Sequence, residues 1–227
     1  MLGSMTCCLT RGERTPPAVA FVQDARPRLL HSGLVDENTM RTLMPEAGAA
    51  VAGAIRSGAG ADLAGPTPCA DYDVRTLLRH FVGTSGAFVK AGQTKALDPD
   101  DPWGSHAKLD EQNWADQLAG QAEAMSLAWS RPAAWTGSVE GAQLPAPAIG
   151  ELGLIELLLH GWDVARATGQ SLRVSDELGA ELLRCLKPTL DQGRQFEVYG
   201  PEVAVAADAP AFRRALGLSG RNPDWSP

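Results

Sequence analysis

Glu156 and His160 stand four residues apart in the stretch Glu151-Leu-Gly-Leu-Ile-Glu156-Leu-Leu-Leu-His160-Gly-Trp-Asp163-Val-Ala-Arg166. On a helix that spacing puts a carboxylate and an imidazole on one face, with Cβ atoms only ~5–6 Å apart. Leu152, Ile155 and Leu159 fill the neighbouring stripe, so the pair sits on or beside a core-facing surface. Burying either group without a partner is costly. A divalent metal is one partner that both can reach; a plain i,i+4 hydrogen bond on a half-buried face is the other. His80 extends the metal alternative. It lies beside Phe81 and close to Leu77, on a second helical segment that a bundle can place opposite the pair, or it is simply a satisfied core histidine. Two histidines and one carboxylate on facing helices leave a coordination position open for water or substrate, as catalytic metal sites do. Zinc, nickel and iron(II) all accept such donors.

Helices must position these residues, and the apolar spacing supplies them. Leu43, Ala47, Ala50, Val51, Ala54 and Ile55 recur three and four apart, which predicts a helix over 41–58. Gly58-Ala-Gly60 stops it. After the loop Gly65-Pro66-Thr67-Pro68-Cys69-Ala70, Asp73 is placed to cap a second helix, its carboxylate accepting from free backbone N–H groups. Val74, Leu77, Leu78, Phe81 and Val82 form the buried face of that helix, which should reach about Ala91. A third helix is expected from about Leu109 to Ser130, with Trp114, Leu118, Met125 and Trp129 in the core. Residues 135–149 read as a long connection with room for a short strand. The fourth helix, from about Ala148 to Thr168, carries the Glu156–His160 pair and ends before Gly169. Asp176 should cap a fifth helix to about Gln192, followed by a short strand near Val203–Val205 and a last helix near Ala211–Leu218. Four long helices with a lengthy third connection point to an all-α helix bundle, with a small C-terminal α/β appendage. Residues 1–39 lack sustained periodicity and are expected to form a disordered tail ahead of one domain over 40–227.

Composition narrows the function classes. The chain has 227 residues, 20 basic and 27 acidic side chains, and a net charge of −7. That balance argues against a nucleic-acid surface, which needs a basic patch. No apolar run reaches the ~18–20 residues of a membrane span; the longest, Leu152 to Trp162, contains Glu156 and His160. Cys7, Cys8, Cys69 and Cys185 form no C-x-x-C motif, which fits a reducing cytoplasm. Monomer and homodimer are both compatible with the sequence.

Other residues carry two readings each. Asp163, three positions after His160, either accepts a hydrogen bond from that ring and orients it or is an exposed carboxylate paired with Arg166. Cys69, where a helix N-terminus lowers a thiol pKa, is otherwise a small buried apolar residue. Arg75 and Arg79 flank the helix bearing His80 and either meet an anionic substrate or lie on a solvated face. His31 and His106 fall in unpatterned sequence and are expected at the surface. Trp103, Trp114, Trp129, Trp135 and Trp162 read as core or loop anchors.

Three segments resemble a known family. Pro66-Thr67-Pro68-Cys69-Ala70-Asp71-Tyr72-Asp73-Val74-Arg75 followed by His80 is similar to the second-helix entry of the mycothiol-dependent maleylpyruvate isomerase family. Glu156-Leu-Leu-Leu-His160-Gly161-Trp162-Asp163-Val164-Ala165 resembles the fourth helix of that family, and Leu216-Gly217-Leu218-Ser219-Gly220-Arg221-Asn222-Pro223-Asp224-Trp225 resembles the ending of its short, single-domain branch. The resemblance covers about residues 40–227. It implies a DinB-like four-helix bundle, with His80, Glu156 and His160 as ligands of a divalent metal, usually zinc. It also implies mycothiol, a low-molecular-weight thiol, as cosubstrate, activated on the metal for transfer to, or isomerisation of, an electrophilic substrate. The isomerases proper carry an additional C-terminal domain, for which this chain leaves no length. The same three residues also suit a metal-dependent hydrolase or a non-catalytic module held together by its ion.

Overall fold

The computed structural model describes residues 37–142 and 144–227. The tail expected at the N-terminus lies outside them up to residue 36, as does His31; its last three residues are already helical. The described residues form helices α1 (Glu37–Ser57), α2 (Val74–Thr94), α3 (Trp114–Trp129), α4 (Ala146–Ala167), α5 (Asp176–Leu186), α6 (Leu190–Gln195) and α7 (Ala211–Leu218). A two-stranded antiparallel ribbon, β1 (Ser138–Val139) and β2 (Leu144–Pro145), occupies the long connection before α4. No helix among the described residues is long and apolar enough to cross a membrane.

Helices α1 to α4 form the bundle expected from the sequence. Both α3 and α4 pack against α1 and against α2, so α1 lies diagonally across from α2. The α2 and α4 pair is therefore adjacent, which is what brings His80 within reach of Glu156 and His160. Each apolar face does what its spacing dictates. Leu77, Leu78 and Phe81 of α2 are fully buried, each burial being worth about 1.5–3 kcal/mol. Helix α4 is buried around nearly its whole circumference, the pattern of a central helix rather than a surface one. That is why polar groups on it must find partners inside the protein. Glu151, 2% exposed, meets Arg184 of α5 at 2.8 Å. Burial pushes the Glu151 carboxyl upward and Arg184 opposes the shift.

The local signals behave physically. Asp73 caps α2 by accepting from Thr76 N–H at 2.8 Å, and those bonds hold its carboxyl below the ordinary value. Gly161 follows His160, and a Cβ there would stand 2.5 Å from Val51 of α1. Only glycine lets α1 and α4 approach so closely beside the site.

Among the boundaries that differ from expectation, three have a visible cause. Helix α3 starts at Trp114 rather than near Leu109, because the Asp110 carboxylate takes the Gln112 and Asn113 N–H groups and turns the chain. Ser175, not Asp176, caps α5: it holds extended backbone angles and its hydroxyl accepts from Leu178 N–H. The helix expected to continue to Gln192 breaks at Lys187–Thr189, a 3-10 turn around Pro188, whose missing N–H cannot extend the α ladder. The Val203–Val205 segment forms no ladder; Val203 N–H instead donates to the Gly217 carbonyl at 2.9 Å. The appendage after Ser175 meets the bundle through α5, which packs against α4 and α1 and, within the appendage, against α7.

Candidate metal centre

Helix α2 contributes His80 and α4 contributes Glu156 and His160. Their donor atoms all lie within 4.8 Å of one another. The two Nε2 atoms are 3.3 Å apart, and His160 Nε2 is 3.4 Å from Glu156 Oε2. Two donors each ~2.0–2.1 Å from a tetrahedral ion stand roughly 3.3–3.4 Å apart, so both spacings suit a shared divalent cation. Glu156 Oε2 sharpens the point: it is buried and accepts no hydrogen bond among the described residues. An orphaned buried acceptor facing two imidazole nitrogens is expensive unless something positive occupies the space between them. Two nitrogens and one carboxylate oxygen form a donor set suited to zinc, nickel or iron(II).

The surroundings orient these donors. His160 is 6% exposed, and its Nδ1 is 3.1 Å from Asp163 Oδ2. An ionised carboxylate only accepts, so Nδ1 carries the proton and Nε2 is turned toward His80 and Glu156. Burial alone would lower the His160 pKa, yet the charges of Glu156 and Asp163 prevail and raise it, with Arg221 working against them. Tyr72 sets a ring edge against His80, with centroids 6.0 Å apart. It is held there by the loop before α2, where the Thr67 hydroxyl bridges the Cys69 and Tyr72 carbonyls at 2.7 and 2.8 Å. Burial pushes the Tyr199 phenol up, and the Glu156 charge adds to the shift; its hydroxyl meets Thr189 at 3.1 Å.

Asp163 is completely buried, and both of its oxygens are taken. Arg221 Nε donates to Oδ1 at 2.8 Å and Arg221 Nη2 to Oδ2 at 2.7 Å. The alternative pairing with Arg166 does not occur: Arg166 Nε donates instead to the Trp225 carbonyl at 2.9 Å. The other candidates lie apart from this chemistry. Cys69 and Cys185 are both buried, and neither is in a disulfide among the described residues. Burial pushes the Cys185 thiol well up, making it a poor nucleophile. Arg75 is turned to Glu111 at 2.8 Å, Arg79 is exposed, and exposed His106 pairs with Asp101. The tryptophans Trp114, Trp129, Trp135 and Trp162 are core residues, and Trp103 packs on Phe88.

Sequence reasoning did not single out Arg221 or Tyr199. Arg221 lies 58 positions beyond Asp163, so no helical spacing relates them. The only signal at Arg221 is its place within the C-terminal segment that carries the family resemblance.

A family model described as the mycothiol maleylpyruvate isomerase N-terminal domain matches residues 44–165. Two proteins of Mycobacterium tuberculosis, both described as uncharacterized, come from strains CDC 1551 / Oshkosh and ATCC 25618 / H37Rv. Each is 28% identical to this chain over 151 residues, which covers 66% of this chain and 77% of its own. No solved structure matches. The matched family span contains His80, Glu156, His160 and Asp163, and ends before Arg221.

Proposed function

Because the chain belongs to the mycothiol maleylpyruvate isomerase N-terminal domain family, we propose that it is a thiol-dependent enzyme of the cytoplasm. In this reading His80, Glu156 and His160 hold a divalent cation, zinc in the first instance, and mycothiol is the cosubstrate. The observation that carries the reading is the convergence of three donor atoms from two helices, one of them a buried, unbonded carboxylate oxygen. When bound, the ion supplies Lewis acidity that keeps a thiol ionised at neutral pH. The protein's own groups prepare for that. As ligands, His80 and His160 would each present a neutral ring nitrogen, and Glu156 one negative charge. Asp163 holds the Nδ1 proton of His160, and its charge is matched by Arg221. The ligand set thus offsets only one of the ion's two positive charges, which favours a monoanion such as a thiolate in the open position.

Both cysteines among the described residues are buried, which fits a sulfur nucleophile brought in by a small molecule. A thiol adding to an electrophilic carbon–carbon double bond forms the S–C bond as the π bond breaks, and in transfer its proton ends on the neighbouring carbon of the product. In isomerisation the same bond breaks again and the thiol is regenerated. Neither route needs an oxidant or reductant.

The test is calorimetric titration of the zinc-loaded full chain with mycothiol, repeated after chelation. We expect saturable binding at one thiol per chain, lost on chelation while the helical circular dichroism persists. Binding unchanged by chelation, or no binding at all, would overturn the thiol reading. Hydrolytic turnover without added thiol would replace it with metal-activated water chemistry.

A further inference from the structure

We propose that Arg221 is a positioning residue of this centre: its two-pronged hold on Asp163 fixes the orientation and tautomer of His160. The inference rests on the reading of His160 as a metal ligand, and it extends the site to a C-terminal segment beyond the family-matched span.

The geometry is that of a clamp. Arg221 is 3% exposed, and its Nε and Nη2 hold the two Asp163 oxygens at 2.8 and 2.7 Å. A planar fork against a carboxylate fixes the rotation of that carboxylate as well as its place. Asp163 Oδ2 is thereby kept 3.1 Å from His160 Nδ1, and an acceptor there requires the ring proton on Nδ1. The lone pair of Nε2 is then presented toward His80 and Glu156. Without the clamp, Asp163 could turn about its own side-chain bonds and release both the tautomer and the ring angle.

The segment that carries Arg221 is itself fixed in place. Its Nη1 donates to the Ser219 hydroxyl at 3.2 Å, and Ser219 is fully buried. Gly220 has φ +86°, and a Cβ there would come within 2.6 Å of the Gly200 backbone, so the turn that aims Arg221 depends on glycine. Beyond it, Arg166 of α4 holds the Trp225 carbonyl at 2.9 Å, and Arg213 of α7 pairs with Asp224 at 2.8 Å. The segment after Arg221 is thus fastened to the same helix that carries the two α4 donors.

Two variants separate positioning from mere neutralisation of Asp163. Arg221→Lys keeps the charge and loses the fork. The double variant Asp163→Asn, Arg221→Gln keeps a hydrogen-bonded neutral pair and carries the test if Arg221→Lys does not fold. On the metal-free full chain at alkaline pH, imidazole ¹⁵N NMR reads the His160 tautomer. Competition with a chromogenic chelator reads the zinc affinity. The expected result is a single Nδ1–H tautomer in the wild type. The folded variants should show a tautomer mixture, with zinc affinity about 10–100-fold lower. A single tautomer and unchanged zinc affinity in folded variants would overturn the proposal. If His160→Ala abolishes zinc binding in that case, the ligand reading survives without it. If the wild type binds no zinc, the ligand reading fails, and the tautomer comparison alone decides the role of Arg221.

Discussion

Replacing Arg221 with methionine should cost about 3–5 kcal/mol of stability, among the largest losses open to a single substitution in this chain. The side chain it removes is 3% exposed, and its partner Asp163 is fully buried. Methionine fills similar space and leaves the Asp163 carboxylate inside the protein with one remaining hydrogen bond, from His160 Nδ1. The exposed pair Arg56–Glu123 makes the contrast. Its contact is shorter, 2.6 Å, but its side chains are 46% and 48% exposed, and water screens such a pair so that it contributes little. Burial, not distance, decides the difference. The check is urea unfolding followed by circular dichroism. A loss of the stated size corresponds to a fall in Tm of roughly 6–20 °C for a domain of this length. Adding Asp163→Asn to Arg221→Met should restore much of the stability, since the penalty comes from the uncompensated charge. A loss under about 1 kcal/mol would mean that water reaches Asp163.

The second large effect is on metal affinity. His160→Ala should lower zinc affinity by well over the ~10–100-fold typical of losing an outer hydrogen-bond partner, because it removes a donor itself. His160 is also the hub of the cluster. Its Nε2 lies 3.3 Å from His80 Nε2 and 3.4 Å from Glu156 Oε2, and its Nδ1 passes the influence of Asp163 inward. Without it, His80 and Glu156 remain on separate helices as two donors. Competition against a chelator of known affinity measures the change, and circular dichroism of the metal-free variant checks that the bundle persists. A fall of less than tenfold would remove His160 from the ligand set.

What the sequence revealed follows the range of the forces involved. The four bundle helices, the Asp73 cap and the shared face of Glu156 and His160 are local, set by spacings of three and four and by one side chain reaching the next turn. The neighbouring placement of His80 was legible only as one packing among several, and the resemblance of two segments favoured it. The misplaced boundaries arise where two good local choices compete: Ser175 and Asp176 both suit a helix start, and Asp110 satisfies backbone donors ahead of α3. Arg221 was invisible because its contact with Asp163 spans 58 positions, and Tyr199 because no helical spacing relates it to Thr189 or to Glu156. An arginine in a turn looks like surface until the turn is seen buried against α4.

The central claim is that His80, Glu156 and His160 bind one divalent ion, and cobalt(II) tests it most directly. Metal-free full chain is titrated with cobalt(II) while the visible absorption of the ion is followed. The account predicts bands of a low-coordinate site that saturate at one equivalent in the wild type and are absent from the double variant His80→Ala, His160→Ala. A wild type that gives no bands and retains no cobalt after dialysis, or a double variant that binds as the wild type does, would contradict it.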